Sequence, residues 1–432
     1  MNKFYLPYTV ITSALSVLIL PSLWTYTRLS GRYAKNFNER LGLLPSDVVK
    51  NISGKPRIWI HAVSLGEVNV AASIINALRR MMPDCSFILS TTTESGRNMA
   101  EKTFGHDLPV IYAPIDFIGP VLKSLNSIRP DVMVFLETEI WPTWLYSAHR
   151  MGIRTALING RISQKSIGGY LKFRFFFREV LKNFDAFSMI TEKDAERIMS
   201  IGAEPDKVEI NGNAKYDLLP GAANPAAEGE IRNALNLEKD ARALVAGSTR
   251  SGEDEQVIHA YKKILRSFPD TILIIAPRHI ERTPEICSML KAHGLEYQLR
   301  TGLEMEKRTK QILIINTFGE LFKIYSIATI VFSGGSLVPL GGQNPLEPAV
   351  WGKPVLYGPY MDNFLDAKAM LEGKDAGVGV RDSETLAEKA LWFFNHPEEL
   401  RRAGERAKSA VMQNEGAAAK HAEVIKRLIK DK

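Results

Sequence analysis

Short runs of strand-forming residues alternate with helix-length stretches along this chain, and the whole alternation occurs twice. Strands joined by helical crossovers pair in parallel, and a parallel sheet needs helices on both faces. In the first series the strand runs are Arg57–Val63, Cys85–Thr91, Val110–Ala113, Asp131–Leu136, Thr155–Ile158, Ala186–Ile190 and Val208–Ile210. In the second they are Ala243–Ala246, Thr271–Ile275, Ile312–Ile315, Ile330–Phe332 and Val355–Tyr357. Between them, residues 214–239 lack strand signals and carry Pro220 and Pro225, which reads as a linker. The expected fold class is α/β, with two Rossmann-like, doubly wound domains at 31–213 and 240–432. The last helices are free to pack back on the first domain. A chain of 432 residues is long enough for two such cores. Ligands of open parallel sheets bind beyond the carboxyl ends of the strands, so two such domains are expected to face one central cleft.

Residues 1–30 stand apart. Phe4–Thr27 holds no charged residue over 24 positions, long enough to span a bilayer. Pro7, Pro21 and several Ser and Thr weaken it, so a shallow or tilted insertion is also open. Arg28, Arg32, Lys35 and Arg40 follow, which places the body of the chain on the cytoplasmic side. The expectation is an uncleaved N-terminal anchor; the alternative is a buried helix of a soluble domain. Cys85 and Cys287 have no metal-ligand spacing and suit a reducing compartment.

The candidate site residues follow the strands. Phe332–Gly352 carries two glycine pairs, with Gly334, Gly335 and Ser336 after the first strand run. It then reads Asn344-Pro345-Leu346-Glu347, the pattern of a helix start. Glycines let backbone approach a ligand, and a helix start offers free N–H groups to a phosphate. The same residues also suit an ordinary turn and a capping box. Glu67 sits in Ser64-Leu65-Gly66-Glu67, where it is either a general base or a capping-box carboxylate. Glu137 and Glu139 end another strand. Arg278, after Pro277, offers a fork for phosphate or is a surface arginine. Ser248, Thr249 and Gly319 are weaker phosphate contacts, and His61 and His279 read as structural.

There is no Asp-x-Asp, clustered Cys/His, Walker lysine or G-x-S-x-G, so a leaving phosphate is expected to be stabilised by Arg and N–H groups without a metal. Arg161–Lys182 interleaves Arg161, Lys165, Lys172, Arg174 and Arg178 with Tyr170 and four phenylalanines. That suits an anionic membrane surface or a phosphorylated acceptor, could suit RNA, or is an amphipathic helix with core phenylalanines. The formal charge of +7 suits an anionic partner without separating lipid from nucleic acid, and the uncharged N-terminus tips the balance towards lipid.

In combination these residues resemble the 3-deoxy-D-manno-octulosonic acid (Kdo) transferases of lipopolysaccharide synthesis, which have the GT-B fold. The resemblance runs over nearly the whole chain. It is carried by VSLGE at 63–67, ETEIWP at 137–142, NGRIS at 159–163, GNAKYD at 212–217, APRH at 276–279, NTFGEL at 316–321 and GGSLVPLGGQNPLEP at 334–348. It implies a CMP-Kdo donor, a lipid A precursor (lipid IVA) as acceptor, an inner-membrane location, and inverting transfer that needs no cofactor or metal. Glu67 matches the family's base, and Glu137 and Lys215 its transition-state stabilisers. Pro277, Arg278, Phe318, Gly319, Glu320, Asn344, Pro345, Leu346 and Glu347 match its CMP pocket. Gln343 departs from the pattern, where a histidine is common. The rivals are a heptosyltransferase, a sugar-nucleotide epimerase or a non-catalytic sugar-nucleotide scaffold.

Overall fold

The structure, a computed structural model, describes residues 7–15, 19, 36–46, 48, 52, 54–105, 107–164, 166–217 and 219–430. The chain divides into two compact units. The first runs to Asp217 and is completed by Gly416–Lys432, and the second covers residues 218–415.

The first unit holds β1 (Arg57–His61), β2 (Ser86–Thr91), β3 (Val110–Tyr112), β4 (Val132–Leu136), β5 (Arg154–Gly160), β6 (Ala186–Met189) and β7 (Val208–Ile210). Their order is β3-β2-β1-β4-β5-β6-β7, with every pairing parallel. Alternate side chains enter cores on opposite faces. Ile58, Ile60, Val132 and Val134 pack with the Leu65–Met81 helix, while Trp59, Met133 and Phe135 pack with the Pro142–Arg150 helix. Both faces are therefore dry, as the continuous apolar runs require.

The second unit holds β8 (Ala243–Thr249), β9 (Ile272–Pro277), β10 (Tyr297–Leu299), β11 (Ile312–Ile314), β12 (Ile330–Ser333), β13 (Val355–Tyr357) and β14 (Gly377–Gly379). Their order is β10-β11-β9-β8-β12-β13-β14, again all parallel.

The segment expected to be a linker is mostly structured. A 3₁₀ turn covers Ala214–Tyr216, and helices cover Leu219–Ala222 and Ala226–Ala234. Ala227, Ile231 and Leu235 repeat every fourth residue. Ile231 and Leu235 are buried in the core of the second unit. The first domain therefore reaches past 213 to Asp217, and the second begins at 218 and ends at Glu415. The last helix, Ala417–Lys430, belongs to the first unit, where Ala418, Ala422, Val424 and Ile425 join its core. Asp217 accepts from the amides of Gly416 and Ala417 at 2.6 and 3.1 Å, fixing the return.

No helix among the described residues is long and apolar enough to cross a membrane. Much of the expected anchor lies outside the described residues. Residues 7–15 are helical, and Tyr8 donates to Asp116 Oδ2 at 3.1 Å and meets the Phe176 ring at 5.3 Å. Val10, Ile11 and Leu15 on the same stretch are exposed.

Candidate active site

In the first unit the sheet order reverses between β1 and β4, which are hydrogen-bonded neighbours. The crevice beyond the strand ends at such a reversal is where open α/β sheets bind ligands. Glu67 follows β1, and Glu137 and Glu139 follow β4. Glu67 is 8% exposed, in the first turn of the Leu65–Met81 helix. Its Oε2 accepts from the Val63 amide at 2.8 Å and its Oε1 from the Ser64 hydroxyl at 3.0 Å. This is not a capping box, because the Ser64 side chain makes no cap bond to the helix. Burial raises the Glu67 carboxyl to about 7; the Val63 amide opposes this, and the charges of Glu137 and Glu139 add to it. A carboxylate held near neutrality is suited to accept a proton from a hydroxyl.

Glu137 has a φ of 55°, a left-handed conformation that a non-glycine residue adopts only when its surroundings fix it. Its amide donates to Ile158 O and its carbonyl accepts from Arg161 N, both at 3.1 Å. This ties the β4 end to the β5 end. Glu139 accepts from the Trp141 indole at 2.6 Å, and burial raises its pKa. The His61 Nε2 lies 4.0 Å from Glu139, and the fully buried ring is held neutral, its pKa pushed down to about 4. Lys215 sits on the Ala214–Tyr216 turn, which packs against the Leu65–Met81 helix. Asn213 Oδ1 accepts the Lys215 amide at 3.0 Å, and Asn159 Oδ1 accepts the Ala214 amide at 2.9 Å. These two asparagines, which position the lysine, lie inside the NGRIS and GNAKYD motifs but were not singled out as site residues.

Of the basic, aromatic segment, Lys165 lies outside the described residues. Arg161 borders the carboxylate cluster through its amide. Arg174 Nε donates to Ser200 O at 2.7 Å, Lys172 lies over the Phe173 ring, and Arg178 packs under Gly202. The phenylalanines divide: Phe176 and Phe177 pack on the core, whereas Phe173 and Phe175 are 49% and 61% exposed.

In the second unit, Pro277 ends β9 and is buried, Arg278 is exposed, and its amide donates to Thr249 O at 3.0 Å. Glu347 lies in a five-residue helix, Leu346–Val350, too short for much of a dipole. The helix starts one residue later than expected, with Pro345 rather than Asn344 at its N-cap, and Asn344 Oδ1 accepts from Leu346 N at 3.1 Å in the turn before it. Burial raises the Glu347 pKa, while the Asn344 amide and the Arg278 charge oppose the rise. Arg278, Asn344 and Glu347 therefore act on one another. Phe318 is 72% exposed and Gly319 has a φ of 85°. Glu320 accepts from Arg300 Nη2 at 2.9 Å and bonds the Thr317 hydroxyl.

The first glycine pair does not serve a ligand in the way expected. Glu253, fully buried, accepts from the amides of Gly335 at 2.6 Å, Ser336 at 2.9 Å, Leu337 at 2.8 Å and Arg250 at 2.9 Å. A carboxylate of the chain itself fills this backbone nest, and the Gly334 amide is spent on Gly247 O. A Cβ on Gly334 would meet Ser248 O at 2.5 Å, so that glycine serves strand packing. Thr249 is buried and donates to Asp254 Oδ1 at 2.6 Å. Ser248 is also buried, with a φ of 55°. The amides of Gly334, Gly335 and Ser336 and the hydroxyls of Ser336 and Thr249 are thus bonded within the chain.

The family described as 3-deoxy-D-manno-octulosonic-acid transferase (kdotransferase) matches residues 35–218. A 3-deoxy-D-manno-octulosonic acid transferase of Rickettsia felis is 30% identical over 86% of this chain and 79% of its own length. A bifunctional glycosyltransferase/methyltransferase of Fusobacterium nucleatum is 35% identical over 78% of this chain, which spans only 52% of that protein. Among solved structures, UDP-GlcNAc 2-epimerase of Neisseria meningitidis covers 87% of this chain, and the match takes in 100% of that chain, with a TM-score of 0.60 at 13% identity; it is a likeness of fold. Two parallel-sheet units of this kind resemble GT-B glycosyltransferases. With the carboxylate cluster at the first sheet reversal and a relative of this similarity over most of both lengths, the chain belongs to the 3-deoxy-D-manno-octulosonic acid (Kdo) transferase family.

Proposed function

We propose that the protein moves Kdo from CMP-Kdo to a lipid A precursor, lipid IVA, with inversion at the transferred carbon and without a metal. The observation that carries the mechanism is Glu67, a buried carboxylate raised to about 7 beside Glu137 and Glu139. In this reading Glu67 takes the proton of the acceptor hydroxyl as its oxygen bonds to the Kdo anomeric carbon. The bond from that carbon to the CMP phosphate breaks, and CMP leaves with the electron pair. The reacting carbon passes through a cation-like state, which the Glu137 carboxylate favours. Lys215 balances the charge developing on the phosphate.

Arg278 supplies a bidentate fork for the CMP phosphate, with the Thr317–Glu320 turn and Asn344–Glu347 completing the donor pocket. The acceptor's lipid chains suit an inner-membrane enzyme whose body is cytoplasmic. The exposed apolar residues of 7–15, with Leu171, Phe173, Phe175 and the nearby basic residues, support contact with an anionic lipid surface. The deciding experiment supplies purified protein with CMP-Kdo generated in situ and lipid IVA, with and without EDTA. Product in both arms, with the mass of added Kdo, supports the donor, the acceptor and metal independence. Folded protein that prefers UDP or ADP to CMP and yields no product overturns the reading.

A further inference from the structure

Among the described residues, one group outside both sites gathers metal-ligating side chains: Glu255, His259 and His293. Glu255 and His259 are one turn apart on the Asp254–Ser267 helix, so both project from the same face. His293 follows the Thr283–Ala292 helix, which packs against that helix. Its Nε2 lies 2.6 Å from Glu255 Oε1, and the Nε2 of His259 lies 3.6 Å from the same oxygen. The two imidazoles meet edge-on, with centroids 5.1 Å apart and planes at 84°. Three candidate ligand atoms, two from one helix and one from the residue capping the end of another, thus converge within 4.8 Å of one another.

We propose that Glu255, His259 and His293 bind one divalent transition-metal ion of the zinc class, apart from the transfer site. Two imidazoles and one carboxylate are a borderline donor set that suits Zn²⁺, Co²⁺ or Ni²⁺ and not Ca²⁺ or Mg²⁺. Zinc bonds of about 2.0–2.1 Å place tetrahedral ligand atoms roughly 3.3 Å apart. The Glu255–His293 pair needs to open by about 0.7 Å, a small rotation for a partly exposed glutamate, and the Glu255–His259 pair already fits. Three protein ligands leave a fourth position to water. The ion ties the start of the Asp254–Ser267 helix to the end of the Thr283–Ala292 helix. Sequence spacing concealed the group because Glu255 and His293 are 38 positions apart.

The test is calorimetric titration of tag-free, chelator-treated full-length protein with ZnCl₂, and the visible absorption of Co²⁺ added in its place. Wild-type protein is expected to take up one equivalent, with the absorption of low-symmetry Co²⁺. His259→Ala, His293→Ala and Glu255→Gln are each expected to weaken binding about tenfold or more, and His396→Ala to leave it unchanged. Transfer activity stays constant in all four variants. No saturable uptake by wild-type protein overturns the proposal. So does equal affinity in the exposed-site variant His259→Ala, whose fold is checked by far-UV circular dichroism.

Discussion

Replacing Glu67 by Gln tests whether the raised carboxyl is real, and its effect on stability can be worked out. In the folded chain the group titrates at about 7 against an ordinary value of 4.5. Folding therefore favours the protonated form. Stability is greatest below about 4.5, declines as the unfolded chain loses its proton, and levels off once pH passes 7. At about 1.4 kcal/mol per pH unit, the loss across that window is roughly 3 kcal/mol. Glutamine has no proton to lose. Its carbonyl can take the Val63 amide, and its NH₂ can donate to Ser64 Oγ once that hydroxyl rotates, so neither partner is stranded. The expected outcome is near-equal stability of wild type and Glu67→Gln at pH 5. By pH 8 the variant is more stable by about 2–3 kcal/mol in the unfolding transition of the first unit, read by urea denaturation across pH. Parallel stability curves for the two proteins would refute the reasoning. A variant less stable at pH 8 would do so more strongly, by showing that ionised Glu67 holds the fold together.

The same variant, and Glu67→Ala, are expected to lose transfer by at least about a hundredfold with CMP affinity unchanged, because the donor residues lie in the other unit; substantial turnover would remove Glu67 as the base. Wild-type rate should rise with pH through about 7 as Glu67 ionises, visible in a pH profile of kcat/KM. Arg278→Ala should weaken CMP binding about ten- to a hundredfold, matching the ~1.5–3 kcal/mol of a charge-assisted hydrogen bond; an unchanged Kd in titration calorimetry counts against the pocket. Glu253→Ala strands four amides and should destabilise the second unit by about 3–5 kcal/mol in urea unfolding; a loss under about 1 kcal/mol means that water replaces the carboxylate at no cost. Phe173→Asp with Phe175→Asp should cut sedimentation with anionic vesicles severalfold; unchanged partitioning assigns these rings another role.

Fold class was legible because both sheets are buried on both faces. Runs such as Val132–Leu136 and Ile272–Pro277 carry no polar interruption, and that can be read without knowing what covers them. The short edge strands Tyr297–Leu299 and Gly377–Gly379 were not legible: neither buries a residue, and two of the three residues of the second are glycine, a poor strand former. Residues 214–239 misled because proline and small residues signal a linker while Ile231 and Leu235 are already core. At the site, position after a strand singled out Glu67, Glu137 and Arg278. Which neighbours shift the carboxyls was not readable: the Val63 amide and Glu139 act on Glu67, and Asn344 acts on Glu347, only through local backbone geometry.

The two sheets use their reversal points differently, and this explains which glycine signals misled. In the first unit the crevice beyond β1 and β4 holds the Glu67 and Glu139 carboxyls, both raised by burial, where we propose that proton transfer occurs. In the second, the reversal lies between β8 and β12, and Glu253 accepts the loop amides there as a phosphate would. A glycine-rich loop after a strand records that an anion is cradled, and says nothing of whether the anion is a ligand or the chain's own side chain. With that nest filled, the anion recognition we propose for the second unit falls to the ends of β9 and β11 and to the Leu346–Val350 helix, where Arg278 is exposed and within electrostatic reach of Glu347.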